Sequence, residues 1–187
     1  KILKNFDKKY EFYYWFRVKK EAQIIIKDKG YDEGINYLSL KFSKIKNPNV
    51  KMVFDIANFY KNSKNYEKAI EYYTEIISSL DDNSEIKSDL LYRRGGSYER
   101  LGNFQKADGD LKYSLRINPD DAYVLNYLAY SWLERDYKID EAMRMLEKAY
   151  ALRSNDPYIT DSIGWAYYLI ENYTEAEKYI KKAVELM

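Results

Sequence analysis

The chain has 187 residues, of which 46% are hydrophobic and 33% charged, and its net charge is only +1. This composition indicates a folded, helical protein and excludes a disordered one. It contains no Cys and no His, which excludes thiol nucleophiles, imidazole bases, Cys/His zinc sites and disulfides.

Small residues recur along the chain in one local frame, which is an aromatic residue or Ile, two polar residues and then Gly or Ala. The recurrences are 35, 38, 35 and 34 residues apart, at Gly34, Ala69, Ala107, Ala142 and Ala176. Repeats of this length predict a stacked array of similar supersecondary units rather than one closed core.

Each unit is predicted to be two amphipathic helices joined by a short turn. In the third unit, Gly102 is suited to end the first helix and Pro119 to end the second. The other helix pairs are expected near 14–28 and 32–45, 49–62 and 66–79, 120–135 and 139–152, and 157–171 and 173–186. We therefore predict one array over residues 1–187, with repeats at about 14–47, 49–83, 87–121, 122–156 and 157–187. Residues 1–13 are predicted to be the tail of a preceding repeat or a connection.

The recurring small residues have a packing explanation. Where two helices cross closely, a side chain larger than Ala holds the backbones apart. Gly95, Ala129 and Gly164 are expected to serve this purpose on first helices, and the Ala residues of the recurring frame on second helices. Replacing Ala107 with Leu is predicted to overpack the crossing between the two helices of the third repeat.

The order of these residues resembles the tetratricopeptide repeat (TPR) family. The pattern is carried by Leu91, Gly95, Tyr98, Ala107, Leu111 and Pro119, and again by Ile163, Gly164, Tyr167 and Ala176. The resemblance implies an all-α fold, a right-handed α-α superhelix of about five helix-turn-helix repeats.

A narrower resemblance links residues 123–133 and 152–168 to the C-terminal repeats of large bacterial cell-envelope TPR proteins. It favours a bacterial periplasmic or outer-membrane-associated location over the cytoplasm. Because the chain starts at Lys1 without a Met and stops at Met187, we interpret it as an internal segment of a longer array.

In the TPR family the first helix of each pair lines the concave side, so the resemblance implies a set of inward-facing residues. These candidate groove residues are Phe54, Asn58, Tyr92, Asn126, Tyr130, Asp161, Trp165 and Tyr168. The aromatic residues would grip apolar side chains of a partner, and the two Asn residues would bond its backbone. Alternatively, the aromatic residues fill gaps between repeats and Asn126 bonds a neighbouring helix. Family members that bind the C-terminal carboxylate of a partner do so with Lys, Asn and Arg. This chain has Phe54 at the position of that Lys.

The leading hypothesis is a non-enzymatic interaction scaffold that binds a protein or peptide in its concave groove, without cofactor or metal. No apolar run is long enough for a membrane span, and no dense basic stripe indicates nucleic acid. The net charge is +6 in residues 1–60, −1 in 61–120 and −4 in 121–187. This polarity motivates an alternative, self-association through the end repeats in a homo-oligomer. A further alternative is a regulatory segment of a longer protein.

Overall fold

The computed structural model describes residues 2–82 and 84–187, and across these ranges the chain forms ten α-helices and no strand. The predicted all-α class and the helix-turn-helix repeat are therefore confirmed. The helices, numbered in chain order, are α1 (Ile2–Lys29), α2 (Tyr31–Phe42), α3 (Val50–Asn62), α4 (Tyr66–Ser78), α5 (Glu85–Arg100), α6 (Phe104–Ile117), α7 (Ala122–Leu133), α8 (Ile139–Leu152), α9 (Pro157–Leu169) and α10 (Tyr173–Leu186).

Helix α1 differs from its predicted bounds because it begins at Ile2 instead of near residue 14. Residues 2–29 contain neither Gly nor Pro, so no local signal interrupts the helix before Gly30. The other predicted bounds agree with the structure to within about three residues. Two predicted boundaries, the segment start at Lys1 and the repeat end at Asn83, lie outside the described residues.

Each helix pair is closed by a turn that contains a left-handed residue. This residue is Gly in two turns, Gly30 and Gly102, and is a charged residue in the others, Lys64, Asp136, Lys138 and Glu171. The fourth turn has two such residues and spans five residues, 134–138, whereas the second, third and fifth turns span three.

Side-chain oxygens cap most of the helices that follow these turns and the connections. Asn65 accepts a hydrogen bond from the Lys68 amide at 3.2 Å, and Asn172 caps α10 in the same way through Glu175. Asp121 caps α7 through the amides of Tyr123 and Val124. Such caps satisfy amides that have no partner within their own helix.

The chain forms two compact units, one ending at Leu80 and the other starting at Asp81. The first unit buries side chains from all four of its helices, including Trp15, Leu38, Ile56 and Tyr73. Trp15 also donates a hydrogen bond from Nε1 to Asp55 Oδ2 at 3.0 Å, and Lys19 Nζ lies 2.6 Å from the same oxygen. These contacts fasten α1 to α3.

The core of the second unit lies around α7, whose Leu128, Trp132 and Leu133 are fully buried against α6, α8 and α9. Two ion pairs link its helices. Arg94 makes a bidentate contact with Asp110, at 2.7 and 2.8 Å, and Arg135 lies 2.8 Å from Asp108.

The small residues do permit close helix crossings. A Cβ placed on Gly95 would lie 3.0 Å from Leu111 Cγ and 3.3 Å from the Ala107 carbonyl oxygen. A Cβ on Gly164 would lie 2.8 Å from Ile180 Cγ1. Since carbon atoms normally stay at least about 3.5 Å apart, a side chain at either position would have to displace atoms of the facing helix.

Candidate functional site

Five of the predicted groove residues lie on the first helices of the last two repeats, α7 and α9, which pack against each other. We call this surface the α7–α9 face and define it by the predicted residues and one additional carboxylate: Asn126, Tyr130, Glu134, Asp161, Trp165 and Tyr168. Tyr130 is 39% exposed and Tyr168 is 48% exposed, while Trp165 is partly buried. The face therefore exposes aromatic surface to solvent.

The α7–α9 face is ordered by contacts between its own side chains. Trp165 donates from Nε1 to Glu134 Oε1 at 3.0 Å, which joins α9 to the end of α7. The Trp165 ring stacks on Tyr168 with centroids 5.3 Å apart, and Tyr173 lies beyond it at 5.7 Å from Tyr168. An aromatic surface that is already held in place loses little conformational freedom on binding.

The electrostatic character of this face is negative. Neither α7 nor α9 contains a Lys or an Arg, and Asp161 is the one charged residue within the two helices. Burial, the hydrogen-bonding carboxylate of Glu134 and the charge of Asp161 all raise the pKa of Tyr130. Tyr130 therefore remains a neutral hydroxyl at physiological pH.

Asn126 is half-buried on α7, and its Oδ1 atom is fully buried without a hydrogen-bond partner among the described residues. A buried acceptor without a partner is unfavourable by about 1–3 kcal/mol, and such groups are rare in folded proteins. The Oδ1 atom of Asn126 therefore contributes no hydrogen bond to the packing of the described residues.

Tyr92, also predicted for the groove, has a different environment. Its ring meets that of Tyr127 edge to face, with centroids 5.6 Å apart. Tyr127 in turn donates its hydroxyl to Glu99 Oε2 at 3.1 Å and lies over Gly96, where an added Cβ would be 3.3 Å from the hydroxyl oxygen. Burial, followed by the nearby Glu99 carboxylate, raises the pKa of Tyr127 well above its usual range. Tyr92 thus contributes to packing between adjacent repeats.

Phe54 and Asn58, the two remaining predicted residues, belong to the first unit, where both are half-buried on α3. Asn58 Oδ1 accepts a hydrogen bond from the Tyr73 hydroxyl of α4 at 2.8 Å. This contact joins the two helices of the second repeat and fixes the orientation of the Asn58 amide.

Asn58 also lines a cleft of about 870 Å³ between α1 and α3, which we call the α1–α3 cleft. Three lysines of α1 reach it, Lys19, Lys20 and Lys27. The cleft was not predicted, because the candidate groove residues were all taken from the second to fifth repeats, whereas the α1 wall belongs to the first.

Sequence reasoning missed Tyr127 as well. It lies four residues after Tyr123 and three before Tyr130, so helical spacing places it close to the predicted face. Helical spacing could therefore have identified Tyr127, but the groove prediction named only its neighbour, Asn126.

Two features of the described part of the chain bear on other kinds of function. None of its helices combines the length and the apolar character that crossing a membrane requires. The same residues contain no group of three or more His, Cys, Asp or Glu positioned to hold a metal ion.

Comparison with known proteins identifies the repeat. The tetratricopeptide repeat model matches residues 50–79 and 162–186. A TPR repeat-containing protein of Pseudomonas aeruginosa, PA4667, is 26% identical over 166 residues, which are 89% of this chain and 28% of that protein. Another from Methanocaldococcus jannaschii, MJ1428, is 38% identical over 80 residues, which are 42% of this chain and 14% of the relative. The chain thus spans less than a third of the length of either relative.

Solved structures show the same fold. Residues 41 to the end of MamA from Desulfovibrio magneticus superpose with a TM-score of 0.69 at 16% identity, covering 92% of this chain and 94% of that solved chain. TPR-like repeats of a putative kinesin light chain from Podosopora anserina give 0.68 at 15% identity, with coverages of 91% and 93%. The matched segments and the two relatives identify tetratricopeptide repeats in this chain, and the solved structures share its fold.

Proposed function

We propose that this protein is a non-enzymatic scaffold that binds a segment of a partner polypeptide through the inner faces of its first helices. The α7–α9 face is the main contact in this proposal. TPR proteins bind protein partners, and this fold is shared by the scaffolds that the chain resembles. The finer assignment, to these residues, rests on the structure of the face itself.

The observation that carries the proposal is the combination of exposed aromatic rings with the unpaired acceptor of Asn126. Aromatic residues dominate the binding energy of protein interfaces because they bury large areas with few rotatable bonds. When the Asn126 side chain rotates toward the ligand, its Oδ1 atom can accept a hydrogen bond from a backbone N–H of the partner. Packing alone does not require Tyr130 and Tyr168 to be exposed aromatic residues.

The test is a displayed library of random peptides selected against the wild-type protein. Peptides that bind should lose most of their affinity for the triple variant Asn126→Ala, Tyr130→Ala, Trp165→Ala, because truncation of central aromatic residues typically weakens binding by about 2 kcal/mol or more. The matched control carries Gln105→Ala, Arg144→Ala and Glu147→Ala, which are exposed positions on the second helices α6 and α8.

Binding by the control variant should equal that of the wild type, and circular dichroism should show that all three proteins are folded. Selected peptides that bind the triple variant as tightly as the wild type would show that the binding surface lies elsewhere.

A second candidate function, self-association, is favoured by the charges of the two units. The unit ending at Leu80 carries 16 Lys+Arg and 10 Asp+Glu, a net +6, and the unit starting at Asp81 carries a net −5. Opposite charges at two surfaces of one chain favour head-to-tail contact between copies. Light scattering over a range of concentration and salt tests this candidate. A mass that stays monomeric at high concentration and low salt contradicts it.

A further inference from the structure

The α1–α3 cleft differs in charge from the α7–α9 face. Lys19 is neutralised within the cleft by Asp55, whose Oδ2 lies 2.6 Å from its Nζ. Lys20 and Lys27 form no ion pair with the described residues, and both are exposed. Two positive charges are therefore left uncompensated along one wall, in a unit whose net charge is +6.

The other lining groups are apolar side chains and carboxamides. Phe16 is 52% exposed, Ile24 66% and Tyr31 46%, so the walls present apolar surface that the described residues leave uncovered. Asn62 lines the α3 side and Gln23 the α1 side. Asn58 also lines the α3 side, but its Oδ1 atom is already bonded to Tyr73. Carboxamides both donate and accept, which suits them to the backbone of an extended peptide.

The cleft extends along α1. A smaller hollow of about 240 Å³ lies next to it and shares Phe16, Lys19 and Asp55 with it. It adds Phe12 and the exposed Lys51, which likewise has no ion pair with the described residues. Phe12 and Lys27 are 15 residues apart on one helix, a length of about 22 Å at 1.5 Å per residue. An extended peptide of about seven residues spans that length.

From these observations we propose that the α1–α3 cleft binds an acidic polypeptide segment that also carries apolar side chains. Carboxylates of the segment contact Lys20, Lys27 and Lys51, and its apolar residues lie against Phe16 and Ile24. The inference rests on the proposed scaffold function, because it names the chemistry of one bound segment and assigns it to a place separate from the α7–α9 face.

A polypeptide fits this cleft better than a nucleic acid does. Nucleic-acid binding usually depends on several phosphate contacts made by clustered Lys and Arg. The cleft has no Arg among its lining residues, one of its lysines is already paired, and apolar groups form much of its wall.

The test uses a fluorescein-labelled peptide with three repeats of Asp-Glu-Leu-Phe, its charge-swapped form with Lys-Arg-Leu-Phe, and a single-stranded DNA oligonucleotide of similar length. Fluorescence anisotropy measures each against the wild type, the variant Lys20→Glu/Lys27→Glu and the control Lys44→Glu/Lys46→Glu. The control changes the net charge equally, at exposed positions of the same unit that do not line the cleft.

The wild type should bind the acidic peptide in preference to the other two probes, with an affinity that falls as salt is added. The cleft variant should bind the acidic peptide about tenfold more weakly, because attractive contacts become repulsive, while the control changes by less than about twofold. Circular dichroism should show both variants folded, since all four lysines are surface residues.

Three results would overturn the inference: no binding of the acidic peptide, equal losses in the two variants, or tighter binding of the oligonucleotide. None of them would affect the proposed scaffold function. The scaffold function is tested separately, by whether selected peptides lose affinity for the Asn126, Tyr130 and Trp165 variant. Failure of the cleft proposal and failure of the scaffold proposal can therefore be told apart.

Discussion

Replacement of Gly164 by Ala tests whether a small residue is needed where the two helices of a repeat cross closely. In the interior of an ordinary helix this change is stabilising by about 1 kcal/mol. Here the new Cβ would lie 2.8 Å from Ile180 Cγ1, 3.1 Å from the Ile180 backbone nitrogen and 3.3 Å from Tyr179 Cβ. Because one of these atoms belongs to the backbone, α9 and α10 must move apart.

Overpacking of this kind destabilises by about 1–3 kcal/mol, and we place this site near the upper end because rotation of a side chain alone does not relieve the contacts. After the gain in helix propensity is subtracted, the free energy of unfolding should fall by about 1–2 kcal/mol. Gly109 provides the matched control, since it lies within α6 with no atom near an added Cβ. Gly109→Ala should therefore raise the free energy of unfolding by about 0.5–1 kcal/mol.

The assay is urea unfolding followed by far-ultraviolet circular dichroism, with both variants compared with the wild type. The two midpoints should shift in opposite directions for the same chemical change. If Gly164→Ala unfolds at the same urea concentration as the wild type or at a higher one, the packing explanation of the repeated small residues is refuted.

Further predictions concern a tyrosine, an asparagine and the turns. The pKa of Tyr127 is raised in the folded protein. Its contribution to the free energy of unfolding is therefore complete below the ordinary tyrosine pKa and is lost as pH rises above about 10. Tyr127→Phe should reduce this alkaline loss of stability by up to about 1.4 kcal/mol per pH unit, measured by urea titrations at several pH values. Asn126→Ala should raise stability by about 0.5–2 kcal/mol, because it removes a buried unpaired acceptor and a weak helix former, and a lower melting temperature would contradict this. Glu171 has φ 61° and Gly102 has φ 71°. Glu171→Gly should therefore stabilise the protein by about 1 kcal/mol and raise its thermal midpoint, whereas Gly102→Ala should destabilise it by about 1 kcal/mol and lower the midpoint. Shifts in the same direction would contradict the assignment of strain to these turns.

The fold was largely predictable because its determinants are local and periodic. Small residues at Ala107, Ala142 and Ala176 recur once per repeat, and turn residues such as Gly102 mark where one helix ends. The start of α1 was not predictable in the same way. Nothing in residues 2–29 stops a helix, so the expected break near residue 14 came from the assumed repeat length and not from a local signal.

The candidate site was predictable only as a set of positions on helix faces. Helical spacing and the family pattern placed Tyr130, Trp165 and Tyr168 on one surface. In the structure Trp165 stacks on Tyr168, and Tyr130 and Trp165 both hydrogen-bond to the carboxylate of Glu134. The hydrogen bond from Tyr73 to Asn58 and the bond from Trp165 to Glu134 depend on side-chain orientations and on contacts between different helices. Sequence spacing contains no information about either.

The central claim is that a partner polypeptide lies against the α7–α9 face. Site-specific photo-crosslinking tests it most directly, with benzoylphenylalanine in place of Tyr130 in one protein and in place of Gln105, on the second helix α6, in another. With the selected peptides or the native partner present, irradiation should give a covalent adduct from position 130 and none from position 105. An adduct from position 105 alone, or equal adducts from both, would contradict the account.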